Sequence, residues 1–491
     1  METKRVAIVG AGVSGLAACK HILERGCRPV VFEASAVTGG VWACVPDSTA
    51  LQTSRPMYQY SDFPWPDTVT DEFPDHRQVM SYLDAYARRF GVLDCVRFGR
   101  RVLGMEYHGV AEDDVAAWEE WGGNGEAFGC AGAGEWHLKV ADAEGRLETH
   151  KADFVVLCIG RFSGVPNMPT FPPGKGPEAF EGQVMHSMDY AKMATEKTRE
   201  MIKGKRVTVV GYLKSAIDIA AECAEVNGTD HPCTMVRWLF SKFAESYYAI
   251  PMKKFGMVPD HSLFQALATC LVAILPKGFY ERLDERSIVL KRSKTFSFSR
   301  EGVVVDGEVL SSLVNSDVVI YATGFRGDLK IMDMFTSEYF RSVAVGSACT
   351  TVPLYRECIN PRIPQLAVLG YSESIASLHT SEIQSKWLAH FMDGGFRLPS
   401  VAAMQKDVLE WEKWMRRYAG GRYLRRSCIG VLHIWYNDQL CLDMGCDPRR
   451  KKSFLEELFG VYGPGDYADL HPAPRKTRST LCLNKVGIVP S

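Results

Sequence analysis

The residues best placed to do chemistry stand at the start of the chain. Gly10, Gly12 and Gly15, with Ala11, Val13 and Ser14 between them, spell GxGxxG directly after the apolar run RVAIVG. Such glycines permit a tight turn, let backbone approach a pyrophosphate and seat a helix against its strand, and the helix N-terminus offers free N–H groups to phosphate. A lone GxGxxG is a weak signal. Here Glu33 closes the next β-branched run, RPVVFE, 23 positions after Gly10, where a carboxylate accepts hydrogen bonds from ribose hydroxyls and repels a 2′-phosphate. The pair Gly39 and Gly40, then Val41 and Trp42, follows at once. That suits a cofactor extending past its pyrophosphate, as FAD does.

A second strand–turn–helix unit opens at Arg206 (RVTVVGYLKSAIDIAAE). Its turn is Gly211, Tyr212, Leu213, Lys214, Ser215 and Ala216, with Leu213 in the place of the middle glycine and Ala216 in that of the third. Spacing alone leaves a nucleotide site and a structural βα turn equally open. Two cations favour the nucleotide: Lys214 in the turn and Arg237 after the next strand, CTMVR, both suited to the 2′-phosphate of NADPH. Lys214 could instead pair with Asp218, four residues on along the same helix face. Between the units lies FEGQVMHSMDY, Phe180 to Tyr190. Taken alone, His186 in that stretch is more simply a structural histidine than a catalytic one.

The elements holding these turns imply an α/β fold of two dinucleotide-binding, Rossmann-like domains. The FAD domain is split in sequence, 1–165 and 311–463, by an inserted NADPH domain at 166–310, and 464–491 reads as a loose tail. Phe154–Gly160, Asp317–Gly324 and Gln365–Gly370 are expected to be strands of the first sheet, and Ala111–Trp136 a surface excursion.

With 57 Lys and Arg against 58 Asp and Glu, the chain has no basic excess for nucleic acid or anionic membrane. The 15 cysteines show no CxxC pair or zinc spacing, which suggests reduced thiols, no metal and a cytoplasmic setting. The stretch Leu263–Leu275, interrupted by Gln265, is too short for a transmembrane helix, which needs about 20 residues. It reads as a buried helix, with loose contact at the endoplasmic reticulum surface a minor alternative.

Phe180, Gly182, His186 and Tyr190 fill the pattern FxGxxxHxxxY, and YATGF spans Tyr321 to Phe325. With the two turns in the same order, the chain resembles the flavin-containing monooxygenases over nearly its whole length. Tyr190, where related Baeyer–Villiger enzymes carry Trp, points to the heteroatom-oxygenating branch. SDFPWP (Ser61–Pro66), GYLKSAID and LHTSE (Leu378–Glu382) resemble its plant members, and most of all the pipecolate N-hydroxylating enzymes of plant immunity. The resemblance implies FAD, NADPH and O2, and a small amine or sulfide as substrate. Gln52 stands where the family often places an Asn beside the flavin, with Thr53 next, and His186 takes the motif histidine's place. One departure follows Arg237: plant relatives carry several dozen further residues before an SKFxESY-like segment, whereas here Ser241, Lys242 and Phe243 come almost at once.

Three outcomes follow: N-hydroxylation of a small amine such as pipecolic acid, S-oxygenation of a small sulfide, or an FAD-binding protein without monooxygenase activity because its NADPH domain is truncated. A disulfide reductase shares the two-domain plan but needs a CxxxxC pair beside the flavin, and Cys44 has no such partner.

Overall fold

β-Branched runs flanked by glycine become strands buried on both faces, the signature of a parallel sheet covered by helices. In the computed structural model, which describes residues 3–130, 132–237, 254, 270, 275–306, 311–346, 352–374, 376–419 and 428–470, two such sheets form. The first takes β1 (Arg5–Val9), β2 (Arg28–Phe32) and β3 (Val96–Arg97). A three-stranded antiparallel sheet follows, β4 (Arg101–His108), β5 (Glu135–Ala141) and β6 (Leu147–Ala152). The chain then returns as β7 (Phe154–Leu157). The second sheet takes β8 (Gln183–His186), β9 (Val207–Val210), β10 (Cys233–Arg237) and β11 (Ile288–Arg292). After the antiparallel β12 (Phe296–Ser299), β13 (Gly302–Asp306) and β14 (Ser311–Asn315) comes β15 (Val318–Tyr321), and last β16 (Leu366–Val368).

The first sheet runs β16-β7-β1-β2-β3 and the second β11-β10-β9-β15-β8, each parallel throughout. Both have the doubly wound order, whose crevice opens where the strand sequence reverses. The same anchor starts both units. Asp153 accepts from the Arg5 backbone N–H at 2.8 Å and from its guanidinium, and Asp317 does the same for Arg206, again at 2.8 Å.

That anchor corrects one expectation. Asp317–Gly324 belongs to the second sheet, with β15 between β9 and β8. The inserted unit therefore runs to about residue 325, beyond 310. The two crossings lie side by side: Asn167 N–H donates to Gly324 O (2.9 Å) and Arg326 N–H to Val165 O (2.8 Å). Strands β7 and β16 stand in the first sheet, as expected.

Ala111–Trp136 is more than a surface excursion. Trp121 and Trp136 are fully buried, and their indole N–H groups donate to Asn360, Ile363 and Pro364 carbonyls. The expected loose tail begins docked: Tyr467 is buried and its carbonyl accepts from Lys386 Nζ at 2.8 Å, while residues 471–491 lie outside the described residues. Cys270 and Cys428, 158 residues apart, form a disulfide, against the expectation of reduced thiols; Cys441 and Cys446 are buried free thiols. Apart from Cys270 and Leu275, the run Leu263–Leu275 lies outside the described residues, as do Ser241, Lys242 and Phe243. No helix among the described residues is long and apolar enough to cross a membrane.

Candidate cofactor and active site

β1 delivers the chain to Gly10, whose backbone turns at φ +104° while its N–H donates to Phe32 O at 2.8 Å. A Cβ there would meet Cys158 O at 2.5 Å, and one on Gly15 would meet Gly10 O at 1.8 Å. Glycine is therefore required by contact with the backbone just after β7 and by helix–strand approach. Gly12 caps the helix Val13–Leu23 with no side chain bonded to its first N–H groups. Opposite stands Gly40, whose Cα would lie 3.4 Å from a Cβ on Gly12. Two glycines facing across an uncapped helix N-terminus leave a cradle bare of side chains, which suits a pyrophosphate. Glu33 is half-buried at its rim. One carboxylate oxygen accepts from Ala11 N–H (2.8 Å) and the other from the Ser35 N–H and hydroxyl (2.8 Å each). Val41 is exposed, and Trp42 Nε1 donates to Tyr58 OH at 2.9 Å.

Residues from far along the chain complete this site. Ser14 Oγ donates to Ser381 Oγ at 3.0 Å, on the helix Ser377–Met392. Next to Ser381, Glu382 is fully buried and accepts from the Ser61 N–H (2.7 Å) and hydroxyl (2.8 Å). Burial pushes this carboxyl's pKa up, but Lys386 at 3.5 Å and the histidines His21 and His379 outweigh burial and hold it well below the usual carboxylate range. SDFPWP and LHTSE, distant in sequence, thus meet through one carboxylate. Lys330 is a further half-buried group, donating to Ile159 O and to Ser163 Oγ (2.8 Å); desolvation brings its pKa down to about 8.

The second turn has the same build with fewer glycines. Gly211 N–H donates to Val236 O at 2.8 Å, and a Cβ would meet Ala322 O at 2.5 Å. Leu213 caps the helix Lys214–Asn227 in extended conformation, again without a side-chain cap. Its φ of −94° is open to any residue, so the backbone at this position does not demand the expected glycine. Tyr212 and Ser215 lie in and after the turn, and Ala216 is buried against the core. Lys214 Nζ pairs with Asp218 at 2.7 Å, the simple alternative noted from the sequence, and burial raises the Asp218 pKa. Arg237 ends β10; its side chain lies outside the described residues.

His186 ends β8 and caps the helix Ser187–Lys192. Its Nδ1 accepts from Met188 N–H and its Nε2 donates to Gly324 O, both at 3.1 Å, while burial lowers its pKa. Both ring nitrogens therefore hold backbone, binding the FxGxxxHxxxY segment to the YATGF loop. Gln52 is exposed and Thr53 half-buried, on the loop that continues from Gly39–Ala43. Sequence reasoning missed Ser381 and Glu382 as partners of the first turn and of Ser61; the clue was a glycine ending QLAVLG, the same strand–glycine–helix order as at Gly10.

Two parallel sheets, each feeding an uncapped helix N-terminus, have the build of a protein that binds two dinucleotides. Among the described residues no group of His, Cys, Asp and Glu is arranged to hold a metal. The chain belongs to the flavin-binding monooxygenase-like family, which it matches over residues 3–306 and 287–458. It is accordingly a flavin-containing monooxygenase, with FAD and NADPH as cofactors. It is 36% identical to the probable flavin-containing monooxygenase 1 of Arabidopsis thaliana (95% of this chain, 96% of that one) and 38% identical to the putative flavin-containing monooxygenase 2 of the same plant (91% and 98%). The fold is similar to that of S-allyl-L-cysteine S-oxygenase from Allium sativum, with TM-score 0.62 and 20% identity over 90% of this chain and 89% of that one. It is also similar to that of OTEMO complexed with FAD and NADP, with TM-score 0.63 and 16% identity over 89% and 97%.

Proposed function

We propose that this chain N-hydroxylates a small amine, pipecolic acid being the first candidate, by the balance R2NH + O2 + NADPH + H+ giving R2NOH + H2O + NADP+. The reading is carried by the Ser61–Glu382 contact, which joins the two segments where the chain most resembles the pipecolate N-hydroxylating enzymes. S-oxygenation of a small sulfide is the second reading, favoured by the shared fold of the S-allyl-L-cysteine S-oxygenase.

Bound FAD supplies the redox and oxygen chemistry, and the protein binds, orients and shields. The turn Gly10–Gly15 would hold the pyrophosphate, Glu33 the ribose hydroxyls, and Gly40, Val41 and Trp42 would flank the rest of the cofactor. The turn Gly211–Ala216 receives NADPH, with Lys214 and Arg237 as cations for the 2′-phosphate. Gln52 and Thr53 would be the amide and the hydroxyl that orient the substrate beside the bound flavin. His186 keeps the two connecting segments together.

The test is to incubate the FAD-loaded protein with NADPH, O2 and a panel of amines and sulfides, measuring product and hydrogen peroxide together. N-hydroxy product matching NADPH consumed supports the first reading, and sulfoxide in its place the second. NADPH oxidation giving only peroxide with every compound refutes both and favours a protein damaged by its short segment after Arg237.

A further inference from the structure

The loop 44–53 leaves the flavin-side turn Gly39–Ala43 and ends at Gln52 and Thr53. It is tied to the inserted unit along its length. Thr195 Oγ1 donates to Asp47 at 2.7 Å, and Thr49 Oγ1 donates to Asp218 Oδ2 at 3.3 Å. The other oxygen, Asp218 Oδ1, takes Lys214 Nζ at 2.7 Å. Asp218 is 1% exposed and Thr49 8%. One buried carboxylate therefore holds, on one side, the lysine of the nucleotide turn and, on the other, the threonine three residues before Gln52. A carboxylate so placed must keep its oxygens satisfied, because a buried charge without partners costs several kcal/mol. Any change in what Lys214 does is thus felt at Thr49. On its far side the loop is fixed to the first unit, with His76 N–H donating to Thr49 O at 3.0 Å and Leu51 N–H to Pro74 O at 2.9 Å.

We propose that Asp218 is a positioning residue that couples nucleotide occupancy of the turn Gly211–Ala216 to the placement of the loop bearing Gln52 and Thr53. The inference rests on Lys214 being a contact of NADPH. When a nucleotide phosphate draws the Lys214 ammonium toward itself, Asp218 is left with Thr49 as its nearest donor, and that hydrogen bond shortens. The flavin-side loop tightens onto the inserted unit when the reductant is in place. In the free enzyme the lysine competes for the same carboxylate and the loop is looser.

Hydrogen–deuterium exchange on the FAD-loaded protein, with and without NADP+, tests this. In the parent protein and in Thr49→Ser, which keeps the hydroxyl, NADP+ slows exchange in peptides covering both 211–218 and 46–54, by several-fold in the loop. In Thr49→Val, and in Asp218→Asn, which removes the charge that Lys214 satisfies, NADP+ still slows exchange in 211–218 and leaves 46–54 unchanged. Loop protection that persists in Thr49→Val and Asp218→Asn, or that is missing from the parent while 211–218 is protected, overturns the coupling. Absence of NADP+ protection at 211–218 in the parent overturns the nucleotide-site reading itself, and the coupling with it.

Discussion

Glu382→Gln separates what one buried charge contributes from what its shape contributes. The carboxylate is fully buried, accepts two hydrogen bonds from Ser61 at 2.7 and 2.8 Å, and faces Lys386 at 3.5 Å, His21 at 3.7 Å and His379 at 3.9 Å. Glutamine keeps the volume and one acceptor oxygen. It removes the charge and turns an amide N–H2 toward a lysine and a Ser61 donor. Breaking a buried pair by removing one partner costs about 3–5 kcal/mol, and the retained amide oxygen recovers part of one hydrogen bond, so a loss of about 3 kcal/mol is expected. That is roughly a hundredfold in the unfolding equilibrium. The pH dependence fixes the cause. The folded pKa of Glu382 is depressed, so its stabilisation is fully present above the unfolded carboxylate pKa and is lost as pH falls through the folded value. Urea unfolding of the FAD-loaded protein, followed by flavin fluorescence, should show the full gap between parent and variant at neutral pH. The two curves should converge as the solution is acidified below the ordinary carboxylate range. A variant within about 0.5 kcal/mol of the parent at neutral pH, or a gap that does not change on acidification, refutes the reasoning.

Gly12→Val tests the first cradle: the backbone at Gly12 (φ −81°, ψ −172°) accepts valine, so the fold should survive while two methyl groups fill the pyrophosphate space. Flavin content should drop at least tenfold, read from the absorbance of the purified protein. Arg237→Ala and Lys214→Met should each reduce NADPH preference over NADH by roughly 10- to 100-fold, from charge-assisted contacts of about 1.5–3 kcal/mol, measured as the ratio of kcat/KM values. His186→Ala should cost about 1 kcal/mol of stability by removing a helix cap, measured by thermal unfolding, while His186→Asn, which can still accept from Met188 N–H, should recover most of it. Oxygen transfer to an amine needs the unprotonated nitrogen, so the rate with an amine substrate should climb with pH while that with a sulfide does not.

The sequence was most legible where its signals are local. Gly10, Gly12, Gly15 and Glu33 carry the first turn within one βαβ unit, and the i,i+4 spacing of Lys214 and Asp218 already contained their ion pair. Leu213 blurred the second turn because an extended cap position tolerates any residue. β15 was misplaced because VVIY is a buried strand in either sheet; its address is written in Asp317 reaching Arg206, a contact 111 residues away in the chain. Still longer separations hid Glu382 from Ser61, 321 residues apart, and Cys270 from Cys428, 158 apart. Ala111–Trp136 looked like surface because glycine and acidic residues outnumber its two buried tryptophans.

The most direct measurement is anaerobic: mix the yellow, FAD-loaded protein with one equivalent of NADPH and follow the oxidised-flavin absorbance. FAD and NADPH as cofactors of one chain predict that the absorbance is lost with NADPH, far more slowly with NADH, and regained when oxygen is admitted. A protein that holds FAD, stays folded and keeps its oxidised spectrum indefinitely under NADPH would contradict the account.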